Sequence, residues 1–117
     1  MRYRHRQHLR SKADFQGIRA SGRGRECGFF YVRLRERPCE DAPMRRLGVI
    51  ASRRVGNAVR RNRAKRLLRE LFRLHQEALP PSCDVLLIAR SRLREASFRE
   101  LEARYLKTLQ FLRSPRS

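Results

Sequence analysis

The stretch that most constrains this chain runs from residue 53 to residue 69, RRVGNAVRRNRAKRLLR, and it holds eight Lys or Arg residues and no acidic residue. Apolar residues recur through it and beyond it at the spacing of an amphipathic helix. Asn57 is a favourable N-cap after the flexible Gly56, and Pro80-Pro81 cannot continue a helix. A helix is therefore predicted from Asn57 to near Leu79, with one buried face and one strongly cationic face.

The two faces of this predicted helix differ sharply in chemistry. The apolar arc comprises Ala64, Leu67, Leu68, Leu71, Leu74 and Ala78. The polar arc comprises Arg61, Asn62, Lys65, Arg66, Arg69 and Arg73. Like charges four residues apart repel each other, and a merely solvated helix usually mixes acids with bases. The absence of any acid before Glu70 therefore favours a face that binds a polyanion over a solvated surface helix.

The charge of the whole chain also favours a polyanion as its binding partner. The chain has 117 residues and a mass of 14.0 kDa, carries a formal net charge of +19, and is expected to form one RNA-binding domain over residues 1–117. Arginine predominates, and its forked guanidinium binds phosphate in a bidentate manner and stacks on bases. No apolar run is long enough to span a bilayer and no signal-peptide pattern is present. We therefore expect a cytoplasmic protein without a membrane partner, which works in a complex that offsets its self-repulsion.

The residues with catalytic or metal-binding chemistry are scattered. The three cysteines form no CxxC pair, so they are expected to be reduced and mostly packed in the interior. His5 and His8 lack carboxylate or thiolate neighbours that would complete a metal site. A two-metal phosphodiesterase needs clustered carboxylates, but the three Asp residues are far apart in sequence. No catalytic residue and no metal ligand is predicted in this chain.

The N-terminal part begins with a basic segment, residues 1–10. This arm either becomes ordered on RNA or is a frayed terminus, and the sequence leaves both open. Ser11 and Asp14 indicate the start of a first helix. Ser21-Gly22 ends it.

The remaining pattern predicts a small mixed sheet. Residues 21–26 (SGRGRE) are expected to form a loop, and strands are predicted at 27–35, 47–52 and 83–90. The strand at 83–90 is a near-continuous apolar run, typical of a strand buried on both faces. In the first strand, the two faces are predicted to carry Phe30, Val32 and Leu34 on one side and Phe29, Tyr31 and Arg33 on the other.

A capping box at Ser97 and Glu100 opens the last helix. Its apolar stripe comprises Phe98, Leu101, Tyr105, Leu109 and Leu112. The predicted fold class is therefore α+β, an α/β sandwich with the order α-β-β-α-β-α. A βαβ crossover in it carries the basic helix.

The segment LGVIASRRVGNAVRRNRAKRLLRELFR resembles the signature of the bacterial ribonuclease P protein subunit. The core of the match is Arg61-Asn62-Arg63, preceded by GNAV (56–59) and followed by Lys65-Arg66. LRSKADF (9–15) resembles the first helix of that family and CDVLLIAR its third main strand. The resemblance implies that this chain joins a catalytic RNA subunit, which removes the 5′ leader of precursor tRNA. It also implies that the RNA holds the catalytic Mg²⁺ ions, that no other protein is an obligate partner, and that the crossover is left-handed.

The resemblance also implies two sets of contact residues. The first set is expected to touch RNA and comprises Arg53, Arg54, Asn57, Arg61, Asn62, Arg63, Lys65, Arg66 and Arg69. The second set is expected to line a cleft for the leader and comprises Phe15, Arg19, Tyr31 and Arg33. Arg19 and Arg33 stand where the family often has aromatic residues, which favours phosphate contacts over base stacking in this cleft. Asn62 has an open alternative, since it could instead brace the helix internally.

Two other classes of function share some of these features. A ribosomal or other structural RNA-binding protein would share the charge, the size and the type of fold. A DNA-binding protein is disfavoured because the sequence has no clear helix-turn-helix.

Overall fold

A four-stranded mixed sheet forms the centre of the molecule, with the strand order β1-β2-β4-β3. The computed structural model describes residues 7, 9, 12–37 and 43–113. The strands are β1 (Arg23–Glu26), β2 (Phe30–Glu36), β3 (Arg45–Ile50) and β4 (Cys83–Ala89). The α-helices are α1 (Lys12–Ser21), α2 (Ala58–Leu74) and α3 (Phe98–Arg113). Short 3-10 helices lie at Arg53–Val55, Gln76–Ala78 and Ser91–Glu95.

The helices cover both sides of this sheet. Strand β2 pairs antiparallel with β1 and β4, whereas β3 pairs parallel with β4 through the crossover that contains α2. Alternate strand residues such as Val32 and Leu87 pack with α2 and α3 in the main hydrophobic core. We call this side the core face. The other side, which α1 crosses, we call the α1 face.

The predicted fold class is confirmed, as is the order α-β-β-α-β-α of its main elements. The handedness of the crossover stays a prediction.

The predicted loop at 21–26 was wrong, because β1 pairs there with the outer edge of β2. Residues of low strand propensity form this strand since tertiary contacts compensate: the Tyr31 side chain lies across Gly24, where an added Cβ would be 1.8 Å from the Tyr31 hydroxyl. On the core face, Arg25 stacks 3.9 Å from the ring centroid of Phe111.

Two apolar side chains differ from their predicted positions. Leu74 was placed on the buried arc of the basic helix, but it is exposed, and Phe72 is buried instead. At 100° per residue, Leu74 lies roughly 100° from the centre of the buried arc. Phe29 was placed with Tyr31 and Arg33, but it precedes β2 and is buried in the main core.

The predicted caps of α2 and α3 are confirmed, whereas Ser11, the predicted cap of α1, lies outside the described residues. The Asn57 side chain accepts a hydrogen bond from the Arg60 backbone N–H at 3.0 Å, and the reciprocal capping box of Ser97 and Glu100 is present. The basic helix ends at Leu74 rather than near Leu79, and its last predicted turn is a 3-10 helix.

Part of the N-terminal arm contacts the outer edge of β3. The backbone N–H of Leu9 donates to the carbonyl oxygen of Leu47 at 2.8 Å. The buried Gln7 donates to the carbonyl of Arg45 at 2.8 Å and to the side chain of Gln76 at 3.0 Å. The choice between an arm ordered on RNA and a frayed arm concerns residues 1–10, of which residues 1–6, 8 and 10 lie outside the described part of the chain. His5, His8 and Cys39 also lie outside it.

Candidate nucleic-acid interface

The cationic surface begins where β3 leaves the sheet. The 3-10 helix Arg53–Val55 follows β3, and its backbone is capped by Ser52, whose hydroxyl accepts from the Arg54 N–H. Gly56 then adopts a φ of 140°, a conformation that side-chain-bearing residues rarely take. This turn allows Asn57 to cap α2, so the basic run folds into a turn followed by a helix.

The cations of this surface have no ion-pair partner within the part of the chain that the structure describes. Among the described residues, every ion pair between a basic and an acidic side chain lies outside residues 53–69. The first turn of α2 also contains no acid, although the positive end of a helix dipole normally attracts one. The unpaired side chains are Arg53, Arg54, Arg60, Arg61, Arg63, Lys65, Arg66 and Arg69. Cations that repel one another near the positive end of a helix dipole favour the binding of an anion.

The central motif Arg61-Asn62-Arg63 spreads around the helix rather than forming one row. Arg61 and Arg63 project roughly 160° apart about the helix axis. Arg61 is half-buried beside the core, whereas Asn62 and Arg63 are exposed. Because the Asn62 side chain makes no hydrogen bond to another described residue, nothing supports its alternative role as an internal brace. The motif can therefore contact phosphates on two sides of α2.

The four predicted leader-cleft residues all lie on α1 or on the α1 face of the sheet. The ring of Phe15 packs on β3, where a Cβ added to Gly48 would be 2.7 Å from the ring. Tyr31 and Arg33 lie on the same face of β2, and both are half-buried. Arg19 is exposed one turn after Phe15. The structure thus places the set on the opposite side of the sheet from α2.

Arg33 has internal partners that the sequence did not indicate. Its guanidinium donates to the carbonyl oxygens of Ile18 at 3.0 Å and Gly22 at 2.8 Å. It also donates to the hydroxyl of Tyr31 at 3.0 Å. Arg33 therefore holds the end of α1 against β2, and its contact with the leader stays a prediction.

The largest electrostatic feature that the sequence reasoning missed is a cluster around Asp84. The strand register places Arg35 on one side of Asp84 and Arg46 on the other. Arg35, Arg37 and Arg46 approach the carboxylate at 2.6, 3.1 and 2.8 Å. The carboxylate is fully buried, whereas the three arginine side chains are 22–27% exposed. One end of the α1 face therefore presents three arginines around one buried carboxylate, and Arg46 also pairs with the partly exposed Asp14.

The protonation equilibrium of Asp84 reflects these contacts. Burial by itself raises the pKa of Asp84, but hydrogen bonds from Arg46 and Arg35, together with the charge of Arg37, lower it by more. The pKa of this carboxyl group therefore lies below its ordinary value, and the group stays ionised although it is buried.

The described residues do not fit a metal site. No group of three or more His, Cys, Asp or Glu side chains within reach of one ion occurs among them, and the Asp84 carboxylate is already occupied by arginines.

Cys27 and Cys83 are free thiols, as predicted, and burial raises the pKa of the Cys83 thiol to about 12. Within the same residues, no helix combines the length and apolar character that crossing a bilayer requires.

Fold and surface together define a small, strongly basic α+β protein with a cationic helix on one side of a mixed sheet. The family model for ribonuclease P matches residues 3–113. The chain therefore belongs to the ribonuclease P protein family. This membership disfavours the alternative of a ribosomal or other structural RNA-binding protein.

Alignments with similar proteins cover most of this chain. The ribonuclease P protein component of Desulfovibrio desulfuricans is 39% identical over 89 residues, which are 76% of this chain and 68% of that protein. The one from Thermotoga maritima is 34% identical over 90 residues, covering 77% and 74%. The solved RNase P protein of Staphylococcus aureus has a TM-score of 0.78 at 27% identity, covering 92% of this chain and 95% of that one. That of Thermotoga maritima has a TM-score of 0.77 at 30% identity, covering 92% and 98%.

Proposed function

We propose that this protein is a subunit of a ribonuclease P in which it binds a catalytic RNA through α2 and the 5′ leader of precursor tRNA through the α1 face. The observation that carries the proposal is a set of eight cations on the turn and helix from Arg53 to Arg69, for which the described residues provide no ion-pair partner. Family membership supports RNA as the polyanion, since ribonuclease P protein components work with an RNA subunit. The cytoplasm is the proposed location.

Catalysis is assigned to the RNA subunit. Hydrolysis of a phosphodiester by Mg²⁺ requires oxygen ligands that hold the ion, and the described side chains form no such group. We therefore place the Mg²⁺ ions on the RNA and the substrate. The role of this chain is to bind the RNA subunit and the substrate, and to position them, by neutralising their phosphates.

Reconstitution tests the division of labour. Purified protein, the RNA subunit from the same organism and labelled precursor tRNA are combined with Mg²⁺, and the 5′ end of the product is mapped. We expect correct cleavage when both subunits are present, tighter binding of precursor than without the protein, and no cleavage by the protein alone. Cleavage by RNA-free protein would refute the assignment of catalysis to the RNA. A protein that changes neither binding nor cleavage would refute the subunit role.

The leader site is tested by changing Tyr31. Tyr31→Ala removes a ring on which an unpaired base can stack, an interaction of about 1–3 kcal/mol per base. We expect the reconstituted enzyme to lose precursor affinity by that amount, and only when the leader is long enough to reach the α1 face.

Tyr31→Phe is the matched control, because it keeps the ring and removes only the hydroxyl that accepts from Arg33. Affinity for a long-leader precursor should be retained in this variant, and affinity for mature tRNA should be unchanged in both. Melting temperatures separate a loss of stacking from a loss of folding. An affinity loss that is independent of leader length would rule out the leader site.

A further inference from the structure

A cavity of about 270 Å³ opens on the flank of α2 that carries Arg63. It lies between α2, the 3-10 helix Arg53–Val55 and the segment that joins β4 to α3. Its interior is apolar, because Val55, Ala64 and Leu93 are 7%, 3% and 2% exposed. Half-buried Leu67 and Ala96 complete the apolar lining. An apolar recess this close to a cationic helix is not needed for binding phosphates alone.

Three arginines surround this recess. Arg60, Arg63 and Arg94 all line the cavity and are exposed. None of them forms an ion pair with a carboxylate in the described part of the chain. Arg60 and Arg94 were not among the residues that the sequence assigned to RNA binding. Arg94 comes from a separate element, so the cavity extends the cationic surface beyond α2.

The size and chemistry of the cavity select its occupant. Pockets for drug-sized ligands occupy roughly 300–1,000 Å³, so this recess suits a smaller group, such as one planar ring system. An apolar interior with a cationic rim matches a nucleotide, whose base has apolar faces and whose flanking phosphates are anionic. Guanidinium groups bind those phosphates and also stack on base faces. A base within a duplex is paired and stacked, so only an unpaired base can enter.

We infer that this cavity receives one unpaired nucleotide of the catalytic RNA subunit, with its base against the apolar lining and its phosphates bound by Arg60, Arg63 and Arg94. The inference rests on the proposed function, since it specifies one contact of that RNA. It also explains why the two arginines of the central motif project to different sides. Arg61 binds phosphate on the flank of α2 beside the core, and Arg63 binds phosphate at the cavity.

Three variants test the cavity without changing the rest of the cationic surface. Ala96→Phe fills the recess and alters no charge. Arg94→Ala removes one rim cation. Arg99→Ala is the matched control, because Arg99 is an exposed arginine at the start of α3 that does not line the cavity. Affinity for the RNA subunit is measured for each variant over a range of salt concentrations, and melting curves confirm that the variants fold.

We expect Ala96→Phe to weaken RNA binding roughly five- to hundredfold, the range for a lost base contact, with the salt dependence unchanged. Arg94→Ala should weaken binding and lower the slope of log affinity against log salt by about 0.7–0.9, the value for one phosphate. Arg99→Ala should leave both quantities near those of the wild type. In chemical probing of unpaired bases, one base protected by the wild type should remain reactive in the complex with Ala96→Phe.

The outcomes separate this inference from the proposed function. If the wild type does not bind the RNA subunit, both are overturned. If the wild type binds, and Ala96→Phe gives the same affinity and the same protected bases, the cavity is not an RNA site, and a protein segment becomes its expected occupant. If Ala96→Phe does not fold, Arg94→Ala decides: behaviour equal to that of Arg99→Ala overturns the inference.

Discussion

Asp84→Asn lowers the free energy of unfolding by about 3 kcal/mol, the lower end of the range for removing one partner of a buried ion cluster. The substitution keeps the size of the side chain but leaves Arg35, Arg37 and Arg46 without their shared carboxylate. The lower end applies because these arginines retain some contact with water, which screens their charges. In a thermal melt of the RNA-free protein, the midpoint should fall by roughly 10 °C or more.

The pH dependence of stability provides a second readout of the same cluster. The pKa of Asp84 is lower in the folded protein than in the unfolded chain, where it is about 3.9. The stability that its ionised form contributes is therefore fully present above about pH 4 and is lost as the pH falls through the folded-state pKa. The wild type should lose stability more steeply in this acidic range than Asp84→Asn.

Asp14→Asn is the matched control for Asp84→Asn. The Asp14 carboxylate lies 3.6 Å from Arg46 and is 29% exposed, so the same chemical change should cost less than about 1 kcal/mol. Equal losses at the two positions would contradict a special role for the buried carboxylate. So would a melting midpoint of Asp84→Asn within about 2 °C of the wild type.

The second large effect concerns RNA affinity. The double substitution Arg61→Ala and Arg63→Ala should weaken binding to the RNA subunit by about 3 kcal/mol or more, since a hydrogen bond to a charged group contributes about 1.5–3 kcal/mol. The slope of log affinity against log salt should fall by about 1.4–1.8, the value for two phosphates. Both quantities are obtained from binding isotherms at several salt concentrations.

A control with equal charge separates specific contact from net charge. Arg99→Ala combined with Lys107→Ala removes the same two charges from exposed positions of α3. This control should reduce the affinity far less and leave the slope nearly unchanged. If both double variants lose affinity equally, the surface acts only through its total charge, and the assignment of the helix to RNA contact is wrong.

The cationic helix could be predicted from sequence because its signals are local. The cap at Asn57, the acid-free run and the 100° spacing all lie within one short segment. The error at Leu74 arose because the 3-and-4 spacing also passes close to Phe72, and only the position of the sheet decides between them. The RNA-contact and leader residues themselves stay predictions.

The cluster at Asp84 could not be predicted because its partners are distant in sequence. Arg35 and Arg46 lie 49 and 38 residues away, and they meet Asp84 only through the register of three strands. In the sequence, Asp84 is one acid within an apolar run. Strand β1 was missed for a related reason, since its stability depends on β2 and α3 rather than on its own residues.

The edges of the sheet also bear on whether copies of the protein can pair with one another. An unpaired strand edge is a template for a strand of another chain. The edge of β3 is partly occupied by the hydrogen bond from Leu9. Strand β1 is only four residues long, and two of these are arginines. A second copy that approached this edge would find only four residues to pair with and would bring together two chains of net charge +19, so the short length of β1 and the repulsion between the chains oppose edge-to-edge aggregation.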